Sequence, residues 1–383
     1  MLMAHFNNLQ IIPATDRRRI IRPVWPEPIA MCGPSFPMSR KNKAVVVVMG
    51  ATGTGKSRLA VDLALRFGGE VVNSDKMQVY DGLDVVTNKV TDAERRGVPH
   101  HLIGGVPPDA DYAAAEFCRD AAAVAEAIAR CGRLPIVAGG SNSYIEKLID
   151  GGGTDAASPG LASRFDCCFL WVDVAPPLLH EFVAERVDQM VERGMIAEVR
   201  ALFDTNPKAD YTKGVRRAIG VPEMDGYLRS ERSTSDEKER SRLLAAAIDE
   251  IKANTCKLTC CQLEKIRRLC SRWDVRRVDA TEAFRRRGRD ADAAWEAAVV
   301  DPSARIVKRF LYGGGESGDD VGDDEFDVNV ANVANAGNRT IVFTAATVAA
   351  AAAAAAAEKG FGGGGGGGAK ITTSTLAAVG ATV

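Results

Sequence analysis

Apolar residues run unbroken from Ala44 to Met49 (Ala-Val-Val-Val-Val-Met). A β-branched run without polar alternation reads as a strand buried on both faces, as inside a parallel sheet. The period then changes. Between Ser57 and Phe67 the apolar positions Leu59, Ala60, Leu63, Ala64 and Phe67 share one helical face. Further strands are predicted at 70–74 (Glu-Val-Val-Asn-Ser), 134–138 (Leu-Pro-Ile-Val-Ala) and 167–174 (Cys-Cys-Phe-Leu-Trp-Val-Asp-Val). Helical patterns at 57–67, 113–131 and 141–149 fall between them. Strands alternating with helices predict an α/β fold, a parallel sheet flanked by helices. From Pro176 the pattern turns helical. Pro176-Pro177 open a helix that Gly194 stops, a second runs to about Phe203, and a long one covers about 236–270. Leu244, Ala247, Ile251, Leu258 and Leu269 are among the apolar positions of the long helix. This part predicts a helical second layer or subdomain over the sheet's C-terminal edge.

The two ends have no such pattern. Residues 1–42 carry Arg17, Arg18, Arg19, Arg22 and Arg40 against only Asp16 and Glu27, and their prolines forbid a long helix. An acid-poor, Arg-bearing leader fits an organelle transit peptide, with a plastid as the expected destination. The alternative is an extension without an address and a cytoplasmic protein. Residues 313–383 hold the Ala run 349–357 and the Gly run 362–368, too few large apolar residues for a core, and are expected to be a disordered tail. The folded part is then 43–312, divided into an α/β core at 43–175 and the mostly helical 176–312 that completes the site.

Composition narrows the classes. The net charge of −1 gives no global basic field toward nucleic acid. No uncharged apolar run reaches membrane-spanning length. The nine cysteines form no Cys-x-x-Cys pair and no His follows His180, which excludes a Cys/His zinc finger in the C-terminal half. Reduced thiols in a reducing compartment fit the pattern.

Gly50-Ala51-Thr52-Gly53-Thr54-Gly55-Lys56-Ser57 stands between the first strand and the first helix, the context a phosphate loop requires. The prediction is a P-loop NTPase-like core. Glycines let backbone N–H groups wrap a phosphate at a helix N-terminus. Gly50, Gly53, Thr54 and Gly55 would form the cradle, Lys56 would reach the outer oxygens, and Ser57 would hold Mg²⁺. Two more clusters follow strands, where ligands of open parallel sheets bind. Ser74-Asp75 follows the second. Asp75 there reads as a Mg²⁺ ligand, a general base or a helix cap. Gly139-Gly140-Ser141-Asn142-Ser143-Tyr144 follows the third, either turning toward a ligand or simply turning tightly, with Ser141 placed to cap the next helix. Positive charge gathers at Lys213, Arg216 and Arg217. Lys252 lies three residues after Asp249, and an ordinary surface ion pair explains it.

These residues are familiar together. The phosphate loop, 73–89 (Asn-Ser-Asp-Lys-Met-Gln-Val-Tyr-Asp-Gly-Leu-Asp-Val-Val-Thr-Asn-Lys), 97–102, 138–144, 166–174, 214–223 and 251–256 resemble the isopentenyltransferase superfamily and, within it, the plant-type adenylate isopentenyltransferases of cytokinin biosynthesis. The resemblance spans about 43–312. It implies transfer of a dimethylallyl group from dimethylallyl diphosphate to N6 of the adenine of AMP, ADP or ATP, with Mg²⁺ and release of pyrophosphate. It implies Asp75 as base and Thr52 beside the scissile oxygen. Contacts to acceptor or phosphates would come from Ser74, Gly140, Ser141, Tyr144, Lys213, Arg216, Arg217 and Lys252. A monomer without a stable nucleic-acid partner is expected. The alternatives are the sister enzymes that prenylate adenine in tRNA and a P-loop small-molecule kinase. One departure is the short Gly-rich stretch 151–163 before the fourth strand.

Overall fold

The central strand is the apolar run. In the computed structural model, β1 (Lys43–Gly50) is buried from its second residue onward. The structure describes residues 43–151, 159–208, 210–233 and 236–313. The leader 1–42, the tail beyond 313 and most of the Gly-rich stretch therefore lie outside the described residues. Beside β1 stand β2 (Gly69–Asn73), β3 (His100–His101), β4 (Leu134–Ala138), β5 (Phe165–Asp173) and β6 (Val275–Asp279). They form one sheet in the order β3-β2-β4-β1-β5-β6, with every pairing parallel. The helices are α1 (Lys56–Phe67), α2 (Asp92–Arg95), α3 (Ala114–Arg130), α4 (Asn142–Asp150), α5 (Pro176–Glu192), α6 (Met195–Thr205), α7 (Asp225–Ser233), α8 (Glu237–Cys270), α9 (Thr281–Arg285), α10 (Arg289–Trp295) and α11 (Asp301–Tyr312).

The register brings the chemistry to one edge. Val48 pairs with Ala138, Asn73 with Ala138, and Gly50 with Val172, so β1, β2, β4 and β5 end together. Sequence order and spatial order diverge at β1, with β2–β4 on one side and β5–β6 on the other. That is the switch point outside which ligands bind.

The helical part differs from expectation in one respect: it returns a strand to the sheet. β6 pairs with β5 from Phe169–Val275 to Asp173–Asp279. Its Val-Arg-Arg-Val-Asp sequence exposes both arginines at the sheet's edge, which hid it from a search for apolar runs. The long helix α8 begins where expected, with the Asp236 side chain accepting the Lys238 and Glu239 N–H groups. Its buried stripe runs Ala247, Ile251, Thr255, Thr259, Leu263, Ile266, Leu269. The two threonines are tolerated because their hydroxyls donate to Ile251 O and Cys256 O.

Three elements press on the phosphate loop. Gly53 and Gly55 have φ of 85° and 87°, left-handed values that favour glycine. A Cβ at Gly53 would lie 2.6 Å from Val183 Cγ1 of α5, and one at Gly55 would lie 2.5 Å from the Trp295 ring of α10. A Cβ at Gly50 would lie 2.7 Å from the Val172 carbonyl of β5. Trp295 is 3 % exposed. Its Nε1 donates to Asp62 Oδ2 at 3.1 Å, and the Arg58 guanidinium lies 4.8 Å from its ring. A single π-helical turn, Glu296–Val300, follows it and leads into α11.

Trp295 should therefore be a principal stability determinant as well as the back wall of the loop. Trp295→Ala should lower unfolding free energy by about 3–5 kcal/mol, read as a fall in the urea midpoint. A midpoint unchanged from wild type would show that α10 does not support the loop.

Candidate functional site

Side chains of the phosphate loop converge on one backbone carbonyl. Thr54 Oγ1 donates to Ala51 O at 2.9 Å, and Lys56 Nζ donates to the same carbonyl at 2.7 Å. Lys56 is 9 % exposed. Burial lowers its pKa to about 8, Asp75 acts against that fall, and Arg186 adds to it. Ser57, at the start of α1, is exposed.

The loop after β2 delivers Asp75 to the same crevice. No helix starts there, so the cap reading fails: residues 76–79 form a turn. Met77 N donates to Asp75 Oδ1 at 2.8 Å, and Asp75 N donates to Asn73 Oδ1 at 3.1 Å. Asn73 is itself tied to Leu102 O at 2.9 Å. One carboxylate oxygen is thus used for local geometry. The other, Oδ2, lies 3.7 Å from where a Cβ on Gly140 would stand. Ser74 beside it is fully buried, with its hydroxyl unpartnered among the described residues.

Between these loops lies the one after β4. A Cβ on Gly139 would be 2.2 Å from Ser74 backbone atoms, so only glycine permits this approach. Ser141 does not cap α4. Its Oγ instead accepts the Lys76 N–H at 2.9 Å, joining this loop to the one carrying Asp75. Tyr144 packs against Phe117 with the rings tilted by 37° and their centroids 5.2 Å apart, and burial raises its pKa.

The predicted basic cluster divides. Arg216 is corrected from phosphate contact to scaffold. It is 3 % exposed, and its guanidinium donates to Asp109 Oδ1 at 2.8 Å, Thr205 Oγ1 at 3.0 Å and Leu202 O at 3.3 Å. Arg217 is exposed and donates to the Tyr80 hydroxyl at 3.1 Å. Lys213 is exposed. Lys252 is paired, but with Asp188 of α5 at 2.6 Å, a partner distant in sequence, and not with Asp249.

Two functional side chains escaped the sequence reading. Arg186 of α5 donates to Thr52 Oγ1 at 2.8 Å. Burial lowers its pKa and Asp75 acts in the opposite sense. Its Nε is buried with no partner among the described residues. The available signal was its place on α5, one turn from Val183 and beside Val187 in the stripe Leu179-Val183-Val187-Met190. Gln262 of α8 is the second. Its Oε1 accepts the Thr52 N–H at 2.7 Å, and its Nε2 donates to Gly140 O at 2.9 Å. Nothing local in the sequence marks it.

The arrangement sets two desolvated cations and a cradle of N–H groups against one carboxylate, suited to an anionic group on one side and a proton acceptor on the other. Only the protonated form of Lys56 attracts an anion. Pyrophosphate binding should therefore weaken as pH rises through about 8, with affinity falling up to about tenfold per pH unit above that point. Calorimetric titrations across pH 7–10 check this, with Lys56→Met as the reference lacking the dependence. Equal pH profiles for the two proteins would rule out Lys56 as the titrating group.

The IPP transferase family model matches residues 78–163 and 152–269. The chain is 55 % identical over 278 residues to adenylate isopentenyltransferase 5, chloroplastic, of Arabidopsis thaliana, covering 72 % of this chain and 82 % of the relative. It is 52 % identical over 270 residues to the mitochondrial adenylate isopentenyltransferase 7 of the same plant, covering 70 % and 80 %. It is 44 % identical over 293 residues to the adenylate isopentenyltransferase of Humulus lupulus, covering 69 % and 89 %. Among solved structures, a eukaryotic dimethylallyltransferase acting on tRNA shares the fold, with a TM-score of 0.60 and 24 % identity over 72 % of this chain and 81 % of that one. The tRNA isopentenylpyrophosphate transferase of Bacillus halodurans matches with a TM-score of 0.56 and 25 % identity over 70 % of this chain and 99 % of that one. By its loop, its sheet order and these similarities, the chain belongs to the IPP transferase family, in the branch of the adenylate isopentenyltransferases.

Proposed function

We infer that the protein transfers a dimethylallyl group from dimethylallyl diphosphate to N6 of the adenine of AMP, ADP or ATP, the first step of cytokinin biosynthesis. The observation that carries this reading is Asp75 beside a phosphate loop in a chain 55 % identical to an adenylate isopentenyltransferase. The bond between the allylic carbon and the diphosphate oxygen breaks, a carbon–nitrogen bond forms at N6, and pyrophosphate leaves. The N6 amine is a weak nucleophile because its lone pair is delocalised into the ring. Asp75, through Oδ2, takes the proton it loses. Charge gathers on the departing oxygen, and the loop N–H groups, Lys56 and Arg186 stabilise it there. Thr52, whose Oγ1 accepts the Arg186 hydrogen bond, can turn its own proton toward that oxygen.

Mg²⁺ fits the donor set. Among the described residues no three His, Cys, Asp or Glu side chains form a metal cluster. A cation brought by the diphosphate needs only one or two protein oxygens, and the exposed Ser57 hydroxyl would supply one. When bound, the ion neutralises charge on the leaving group.

The matched solved structures act on tRNA, which gives the second reading its observation. The balanced charge of this chain favours the free nucleotide, and the described helices include none long and apolar enough to cross a membrane. Of the basic residues expected to meet acceptor phosphates, Lys213 and Arg217 are exposed, while Arg216 is withdrawn and Lys252 is paired with Asp188. A monomer suffices, since the donor loop and Asp75 come from one chain.

The purified protein should prenylate AMP, ADP or ATP, with products identified by mass, and leave unmodified tRNA unchanged. Modification of tRNA alone, with activity falling steeply as salt rises, would move it to the sister branch. Label transferred from γ-labelled ATP to a small acceptor would make it a kinase. Asp75→Asn should lower kcat by about 10²–10⁴-fold while pyrophosphate still binds. A kcat within tenfold of wild type would remove Asp75 as base. Relatives are named both chloroplastic and mitochondrial. The proposed address is the plastid, which a fluorescent reporter carrying residues 1–42 should enter; cytosolic fluorescence rejects it.

A further inference from the structure

The three loops of the site are joined in series by few bonds. The loop carrying Asp75 is tied to the loop after β4 by Ser141 N donating to Ser74 O at 3.1 Å and by Lys76 N donating to Ser141 Oγ. The loop after β4 is tied to the phosphate loop by one carboxamide from α8. Gln262 Oε1 accepts the Thr52 N–H at 2.7 Å while Nε2 donates to Gly140 O at 2.9 Å. Asn142, at the start of α4, donates weakly to the Gln262 backbone carbonyl at 3.5 Å. Thr52 is thus gripped from two helices, its N–H by α8 and its hydroxyl by Arg186 of α5.

The placement is exacting. A Cβ on Gly140 would lie 2.6 Å from Gln262 Nε2 and 3.7 Å from Asp75 Oδ2, so the carboxamide and the carboxylate border the same glycine. Gln262 is half-buried, and its neighbours in the stripe, Thr259, Leu263 and Ile266, anchor α8 in the core. The rigidity of a 34-residue helix is thereby applied at one point between donor and acceptor.

We propose that Gln262 is a positioning residue for alkyl transfer: its carboxamide sets the separation between Thr52 on the donor side and the Gly140–Asp75 edge on the acceptor side. This rests on the reading of the site as a prenyltransferase centre. Gln262 touches neither reacting atom. It acts through the two loops, and a misplacement of about 1 Å between reacting partners can lower a rate about 10²-fold.

The two halves of the carboxamide separate by substitution. Gln262→Met keeps the length and removes both bonds. Gln262→Glu keeps an acceptor for the Thr52 N–H but sets oxygen against the Gly140 carbonyl. In the full-length protein, with dimethylallyl diphosphate and AMP, both variants should lower kcat by about 10–100-fold. KM for each substrate, pyrophosphate affinity by calorimetry and melting temperature should stay near wild type. Wild-type kcat in Gln262→Met overturns the proposal. So does a loss confined to donor KM, which would make Gln262 a binding group. Should Gln262→Met melt early, Gln262→Glu decides by the same split. A wild-type protein inactive on AMP, ADP and ATP alike would defeat the prenyltransferase reading itself, a result distinct from any difference between variants.

Discussion

A loop of glycines has no side chains with which to hold its own shape, so its neighbours must hold it. That constraint organises the described structure. Val172 of β5, Val183 of α5 and Trp295 of α10 each approach a different glycine closely enough that a methyl group would collide. These elements come from widely separated stretches of chain. The cradle is therefore a tertiary object, and strand, turn and helix alone do not complete it. The contacts also explain why the mostly helical half cannot be a detachable cap. α5 carries both the Val183 wedge and Arg186, and β6 lies in the same sheet as β1.

The second consequence is electrostatic. Lys56 and Arg186 are both desolvated, and burial lowers both pKa values. Asp75 is the nearby negative charge that opposes the fall for each. Lys56 makes do with a backbone carbonyl, and Arg186 leaves a buried Nε unpaired among the described residues. Holding desolvated cations this way favours an anion beside them. The diphosphate of the proposed reaction would satisfy both groups at once. The same positive potential is then already in place when negative charge develops on the leaving group, without reorganisation of solvent.

Much of the scaffold was legible because it is written in local periodicity. The valine run of β1, the helical stripe of α1 and the cap at Asp236 are each set by residues adjacent in sequence. β6 was hidden because an edge strand with Arg276 and Arg277 exposed has no apolar run, and β3 because two histidines make no pattern. At the site, the phosphate loop and Asp75 were legible, since both follow strands directly. Arg216 misled because a charged residue reads as solvated until Asp109, Thr205 and the Leu202 carbonyl surround it. Lys252 misled in a smaller way, as its partner lies one helix away. Arg186 and Gln262 were missed because helix-borne groups become functional only when packing sets them over a loop.

The order of the strands bears on why this fold suits alkyl transfer. In phosphoryl transfer on a phosphate loop the reacting phosphorus sits in the cradle, and the nucleophile meets it there. In the proposed reaction the cradle would hold only the leaving group, and the reacting carbon and incoming nitrogen would extend away from it. β4 intervenes between β1 and β2, so the strand ends that carry the phosphate loop and the Asp75 loop lie two strand spacings apart, about 10 Å in the plane of the sheet. A line of departing oxygen, allylic carbon, amine nitrogen and carboxylate oxygen needs a span of that order. Each contact between partners not yet bonded runs to about 3 Å. In the proposed reaction Gly140, beside Asp75 Oδ2, would border the carbon and nitrogen. Gly139, closed against Ser74, and Gly140, closed against Gln262, let those neighbours approach because neither has a side chain.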